Sequence, residues 1–137
     1  MSETTTNHRL IARAASLLNP RRLKDFFIGD VAAVLVSGSG KLYSGVCIGG
    51  YLGICAEQSA IAAMITAGET RIHRIVAVWK DANGTTFVLP PCGRCREFMR
   101  QINADNRDTE VLVGADKIAT LAELIPYYDP FAHPLTS

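Results

Sequence analysis

Hydrophobic and polar positions along this chain predict helices and strands in alternation. Apolar residues recur with helical spacing in four segments, 8–18, 55–67, 93–102 and 117–124. Short apolar runs rich in β-branched residues predict strands at 31–36, 41–48, 72–79, 85–89 and 110–113. The Ser-Gly-Ser-Gly turn at 37–40 joins the first two strands as a hairpin. This order favours an α/β domain with a mixed sheet of about five strands, covered by helices on both faces.

Length and composition limit the classes of function. The 137 residues, of which 48% are hydrophobic, predict a single domain over 1–137, with flexible ends at 1–7 and 132–137. A net charge of +1 argues against nucleic acid or an anionic membrane as a partner. The polar start does not resemble a secretion signal, and no apolar run approaches the roughly 20 residues of a membrane span. We therefore expect a cytoplasmic protein.

Cysteines carry the candidate chemistry. The chain has four, and Cys92 and Cys95 lie in a Pro-Pro-Cys-Gly-Arg-Cys stretch that opens a predicted helix. Taken alone, this pair fits a redox dithiol, half of a structural zinc site, or two ligands of a catalytic metal. In a reducing compartment, metal binding or catalysis is favoured over a structural disulfide.

A second motif narrows these alternatives. Cys55-Ala56-Glu57 opens another predicted helix, and Cys55 would add a third sulfur beside Cys92 and Cys95. Helix N-termini stabilise thiolates, and three protein ligands leave one position of a tetrahedral zinc open for water. Glu57 would lie close to that water and could move its proton. A Cys two residues before Glu, followed by P-C-x-x-C, is the pattern described for zinc-dependent base deaminases.

The segments CAEQSAIAAMITAG and PPCGRCREF, with the preceding hairpin GDVAAVLV…KLYSGV, resemble the cytidine deaminase superfamily. The resemblance is to its small all-cysteine branch, which includes cytidine deaminases and blasticidin S deaminase, and it covers roughly residues 10 to 130. It implies a three-layer α/β/α domain around a mixed sheet of about five strands. It also implies one Zn²⁺ per subunit and a homotetramer with active sites at subunit interfaces.

Carried onto this sequence, the resemblance makes Cys55, Cys92 and Cys95 the zinc ligands and Glu57 the proton shuttle. Substrate contacts would come from the Ala56 backbone, the Pro90 region, the position of Cys47, and stacking aromatics. The residues that fill these substrate roles are Ala56, Phe27, Cys47, Pro90 and Phe131. The implied reaction is hydrolytic deamination of a small cytosine nucleoside or analogue to the uracil product and ammonia.

Two positions depart from the family pattern. Gln58 stands where cytidine deaminases usually have an arginine that offsets the thiolate charge, so Arg94, or alternatively Arg96, would compensate by hydrogen-bonding the sulfurs. Cys47 and Gly49 replace the Asn and Glu that bind ribose hydroxyls. The substrate would then be blasticidin S or another modified aminopyrimidine rather than cytidine itself. A zinc-stabilised binding module without enzymatic activity is the competing hypothesis.

Overall fold

The computed structural model describes residues 6–50, 52–129 and 131–136. The α-helices of these ranges are α1 (Asn7–Ser16), α2 (Ala56–Thr66), α3 (Gly93–Ile102) and α4 (Leu121–Leu124), and a short 3-10 helix spans Ala104–Asp108. The strands are β1 (Arg21–Leu23), β2 (Phe26–Ser37), β3 (Leu42–Gly49), β4 (Ile72–Lys80), β5 (Thr86–Val88), β6 (Glu110–Gly114) and β7 (Lys117–Thr120).

These strands form one mixed sheet. Strand β2 pairs antiparallel with β1, β3 and β4, and β4 pairs antiparallel with β5. Strand β6 runs parallel to β4 and antiparallel to β7. The mixed α/β architecture predicted from the sequence is confirmed.

Helices cover both faces of the sheet because β2 and β4 are apolar on both sides. Along β2, Ala33 and Leu35 pack into a core with α2, α3 and α4, whereas Val34 and Val36 pack into a second core with α1. Side chains along a strand alternate between its faces, so one continuous apolar run supplies both cores. The result is three layers, helix, sheet and helix.

Close packing of α2 on β3 positions the start of α2. A Cβ atom on Gly45 of β3 would lie 2.5 Å from the Ala60 nitrogen and 2.5 Å from the Ser59 Cβ. Only glycine leaves room for the helix at this distance. The helix therefore lies directly on the hairpin, with its first residues at one edge of the sheet.

The strand count of about five is too low, since the described residues form seven strands. Strand β1 is short, polar and fully exposed, so it carries no hydrophobic signal. The helix predicted at 117–124 is wrong over its first half. Those residues form β7, which folds back on β6 through a tight turn, and Ile118 and Thr120 are β-branched residues that favour a strand.

The ends of the chain differ in how much of them is described. The predicted flexible segment 1–7 overlaps α1, which begins at Asn7 behind Thr6, whose hydroxyl accepts a hydrogen bond from the Arg9 nitrogen at 3.4 Å. Residues 1–5 and 137 of the predicted flexible ends lie outside the described residues. Within the ranges that are described, no helix is long and apolar enough to cross a membrane.

Candidate active site

A cavity of about 370 Å³ opens where α2 and α3 begin. One wall comes from β2, β3 and the loop after β3, and the opposite wall comes from the segment after β5 and the first turn of α3. The start of α2 lies between the two walls. The cavity has the volume expected of a site for a small organic molecule.

Three thiols meet at this cavity. Cys55 immediately precedes α2, Cys92 immediately precedes α3, and Cys95 lies in the first turn of α3. Their sulfur atoms all lie within 4.8 Å of one another, and the Cys55 and Cys92 sulfurs are 3.6 Å apart. Sulfurs bound to a tetrahedral zinc at 2.3 Å are separated by about 3.8 Å, so these thiols fit that ion.

The three thiols differ in their tendency to ionise. Burial raises the pKa of Cys55, and burial together with the nearby Glu57 charge raises that of Cys95. Burial also opposes ionisation of Cys92, but hydrogen bonds from the Cys95 and Arg94 backbone N–H groups lower its pKa overall. Free amides at a helix start stabilise a thiolate in this way, whereas the two buried sulfurs require a cation.

Glu57 occupies the first turn of α2 and faces the same cavity. Its side chain is only 5% exposed, yet it lines the cavity beside Cys55 and Ala56. Burial raises the pKa of this carboxyl group. A carboxyl group with a raised pKa is suited to exchanging protons near neutral pH.

The polar residues next to the cysteines have separate roles in the structure. The Gln58 side chain accepts a hydrogen bond from the Cys55 backbone nitrogen at 3.0 Å and so caps α2. The Arg96 guanidinium donates to the carbonyls of Pro91 at 2.8 Å and Leu124 at 3.1 Å. Arg94 is exposed and lines the cavity, and among the described residues its guanidinium contacts no sulfur. Compensation of thiolate charge by Arg94 stays a prediction.

With this geometry established, comparison with known proteins is informative. Residues 5–111 match the family model described as the cytidine and deoxycytidylate deaminase zinc-binding region. The chain belongs to this deaminase family. The resemblance read from the two cysteine motifs is thus confirmed, and the three-thiol cluster corresponds to a family whose matched region binds zinc.

Individual relatives of the family share about a third of their residues with this chain. A blasticidin-S deaminase of Bacillus cereus is 31% identical over 103 residues, which cover 70% of this chain and 74% of the relative. A cytidine deaminase of Shewanella frigidimarina is 30% identical over 123 residues. That alignment covers 86% of this chain but spans only 36% of the relative, and a second Shewanella cytidine deaminase is spanned over 40% of its length.

Solved structures from the family share the fold. The crystal structure of cytidine deaminase from Mycobacterium leprae superposes with a TM-score of 0.64 at 26% identity, covering 92% of this chain and 98% of that chain. Cytidine deaminase from Bacillus anthracis superposes with a TM-score of 0.71 at 19% identity, a similarity that concerns the fold alone. The three-layer α/β/α architecture that the resemblance implied is confirmed.

The substrate-contact residues implied by the family divide into two groups. Ala56, Cys47 and Pro90 line the cavity. Phe27, on β2, is 39% exposed and Phe131, near the C-terminus, is 87% exposed, and neither lines the cavity within a single chain. A stacking role for either aromatic stays a prediction, and for Phe131 the family places it across a subunit interface.

One feature of the site was not predicted from the sequence. The Cys47 thiol donates a hydrogen bond to a carboxylate oxygen of Asp30 at 2.8 Å. Asp30 lies where the pairing of β2 with β3 shifts register, between Ile28 and Ala32. A charged residue at the start of an apolar strand was the available signal, but only the irregular pairing brings it to Cys47.

Proposed function

We propose that this chain catalyses the zinc-dependent hydrolytic deamination of a cytosine nucleoside or cytosine nucleoside analogue, giving the uracil product and ammonia. The observation that carries the proposal is the convergence of three thiols and one buried carboxyl group on a single cavity. A thiol cluster alone would suit a structural metal, but a structural site does not need a carboxyl group facing a cavity.

We assign Cys55, Cys92 and Cys95 as the ligands of one zinc ion per chain. A bound zinc ion supplies Lewis acidity, which lowers the pKa of a water in the site to about 7. Cys55 and Cys92 stand at helix starts, where backbone N–H groups favour the thiolate form that ligation needs. Charge compensation by Arg94 and capping by Gln58 would keep this cluster in place.

Glu57 is assigned as the group that moves protons. It takes a proton from the attacking water as the water oxygen bonds to C4 of the ring, and it delivers that proton to N3. It then transfers the second proton of the water to the exocyclic nitrogen. The bond between C4 and that nitrogen breaks, ammonia leaves, and C4 retains the oxygen as a carbonyl. Leu89 and Pro90 on the facing wall limit the access of bulk water.

The test is ammonia release by the zinc-loaded chain from cytidine, deoxycytidine, blasticidin S, adenosine and a guanine compound. We expect turnover of at least one cytosine compound and a loss of about 100- to 10,000-fold in Glu57→Gln, with one zinc per chain retained. Glu97→Gln, an equivalent change on the outer surface of α3, serves as the control. A zinc-loaded protein inert on every cytosine compound would refute the substrate class.

Blasticidin S is the second candidate substrate. It is favoured by the similarity to a blasticidin-S deaminase over 74% of that relative and by the Cys47 and Gly49 pair on β3. The substrate panel separates it from cytidine through the ratio of kcat/KM values. The binding-module hypothesis predicts instead that Glu57→Gln changes neither zinc content nor any turnover.

We further propose that the chain forms a homotetramer in the cytoplasm. The exposed side of α2 carries Ala62, Ala63 and Ile65, so this helix presents apolar residues outwards as well as to the core. Three cysteines used as thiolates suit a reducing compartment. Light scattering should give four times the 14.8 kDa chain mass, and Ile65→Lys should lower it. A monomeric wild-type protein, or fractionation outside the cytoplasm, would contradict this assignment.

A further inference from the structure

The wall of the cavity formed by β3 and the following loop has few groups that can bind a hydroxyl. Its described lining side chains are Cys47, Ile48 and Ile54 together with three glycines, and none of them carries nitrogen or oxygen. On the other side of the cavity, Leu89 and Pro90 are apolar. Apart from the thiols, Glu57 and Arg94 are the polar side chains among the described lining residues.

The backbone of this wall is also occupied by its own hydrogen bonds. Ile48 and Ile54 exchange two bonds, of 3.0 and 2.9 Å, and the Gly53 nitrogen donates to the Gly50 carbonyl at 3.2 Å. Gly49 is paired with Phe27 across the β2–β3 ladder. A sugar hydroxyl placed against this wall would give up water without gaining a protein partner, which is unfavourable.

Cys47 separates the one nearby carboxylate from the cavity. Its thiol donates to Asp30 at 2.8 Å, and Cys47 lines the cavity whereas Asp30 does not. Burial, followed by the hydrogen bond to Asp30, raises the pKa of this thiol, so it remains a neutral donor to the carboxylate. The strongest hydroxyl acceptor in this region is thus covered by a small, weakly polar side chain.

We infer that this cavity selects an aminopyrimidine by its ring and not by the 2′ and 3′ hydroxyls of a sugar, and that Cys47 sets this preference by covering Asp30. The inference rests on the proposed deaminase function and specifies its substrate class. The class is cytosine compounds whose ring substituent has no hydroxyl groups on the side of β3. Cys47 is a specificity-determining residue in this arrangement.

The first test compares cytidine with 2′,3′-dideoxycytidine on the zinc-loaded protein. A site built to bind hydroxyls discriminates strongly against an analogue that lacks them, whereas an apolar wall does not. We expect the two kcat/KM values to agree within about threefold. A preference for cytidine of more than about tenfold would overturn the inference. Absence of turnover with both compounds would instead refute the proposed function.

Binding provides a second measurement that does not depend on turnover. Calorimetric titration of zinc-loaded Glu57→Gln with the same two nucleosides should give dissociation constants within about threefold of each other. Cytidine bound more than about tenfold more tightly would contradict the apolar wall, whatever the catalytic result.

Cys47 variants test how the preference is set. Cys47→Ala should uncover the Asp30 carboxylate and raise the preference for cytidine about tenfold, whereas Cys47→Val should leave the ratio unchanged because it keeps the wall covered. Adding Asp30→Ala to Cys47→Ala should restore the wild-type ratio. An unchanged ratio in Cys47→Ala, or the same increase in Cys47→Val, would overturn the role of Cys47.

Three single variants keep the test decisive if Cys47→Ala does not fold. Asp30→Ala alone should not change the ratio, because the carboxylate is already covered. Arg94→Gln and Tyr51→Phe, the latter outside the described residues, should not change it either. A selective fall in cytidine turnover in any of the three would identify a hydroxyl-binding group and overturn the inference.

Discussion

Replacing Arg96 by glutamine should weaken the whole metal-binding end of the molecule. The Arg96 guanidinium binds two backbone carbonyls, that of Pro91 next to the ligand Cys92 and that of Leu124 at the end of α4. It thereby ties the Cys92 loop to the last helix. Glutamine at this position is too short to bind both carbonyls.

The magnitude follows from the two bonds. A hydrogen bond that involves a charged group contributes about 1.5–3 kcal/mol, and glutamine recovers part of one of them. We therefore expect Arg96→Gln to lower the free energy of unfolding by about 2–4 kcal/mol. Because the Pro91 carbonyl precedes a metal ligand, zinc affinity should also fall about 10- to 100-fold, as for other groups that orient ligands.

Urea unfolding of the zinc-loaded protein at fixed free zinc, together with a competitive chelator titration, measures both effects. Arg100→Gln is the matched control on the same helix, because it loses an ion pair with Glu97 and a ring contact with Tyr128 at 4.7 Å. Those exposed interactions are worth about 1 kcal/mol together, and zinc affinity should not change. If Arg96→Gln were no more destabilising than Arg100→Gln, or bound zinc equally well, the proposed tie would be wrong.

Two further predictions concern stability away from the cavity. Asn106 is fully buried, accepts from the Ile72 nitrogen at 2.8 Å and donates to the Met99 carbonyl at 2.9 Å, so Asn106→Ala should cost about 3 kcal/mol or more in chemical unfolding. The exposed Asn103→Ala is its control and should cost no more than about 1 kcal/mol. Hydrogen bonds from Ser39, Tyr43 and Ser37 lower the pKa of Glu69, so its contribution is complete above about pH 4.3 and is lost as the pH falls through the depressed value. Thermal midpoints of Glu69→Gln and wild type should therefore converge towards pH 3, and parallel curves would contradict this.

The sequence predicted the site better than it predicted the edges of the sheet. The spacing of Cys55, Glu57, Cys92 and Cys95 carries information because helix starts bring such residues to one edge, and α3 begins and ends where its pattern indicated. Strand β7 was mistaken for a helix because residues 117–124 contain too few apolar positions to separate the two periodicities. Its pairing with β6 decides the matter, and that contact is tertiary.

The contact between Cys47 and Asp30 lay beyond the sequence for a related reason. The two residues are 17 apart, and they meet only because the β2–β3 ladder shifts register between Ile28 and Ala32. A regular hairpin would alternate side chains strictly between its faces, and nothing in the hydrophobic pattern marks the irregularity. Substrate preference is therefore the part of the function that depended most on three-dimensional information.

The placement of the thiols at two helix starts makes metal uptake a reporter of folding. Cys55 and Cys92 are 37 residues apart, and α2, β4 and β5 lie between them. In an unfolded chain the two sulfurs meet rarely, because closing so long a loop costs entropy. Tight zinc binding therefore requires that this segment has already crossed the sheet and returned. A stopped-flow zinc indicator would follow the docking of the two helices without any label on the protein.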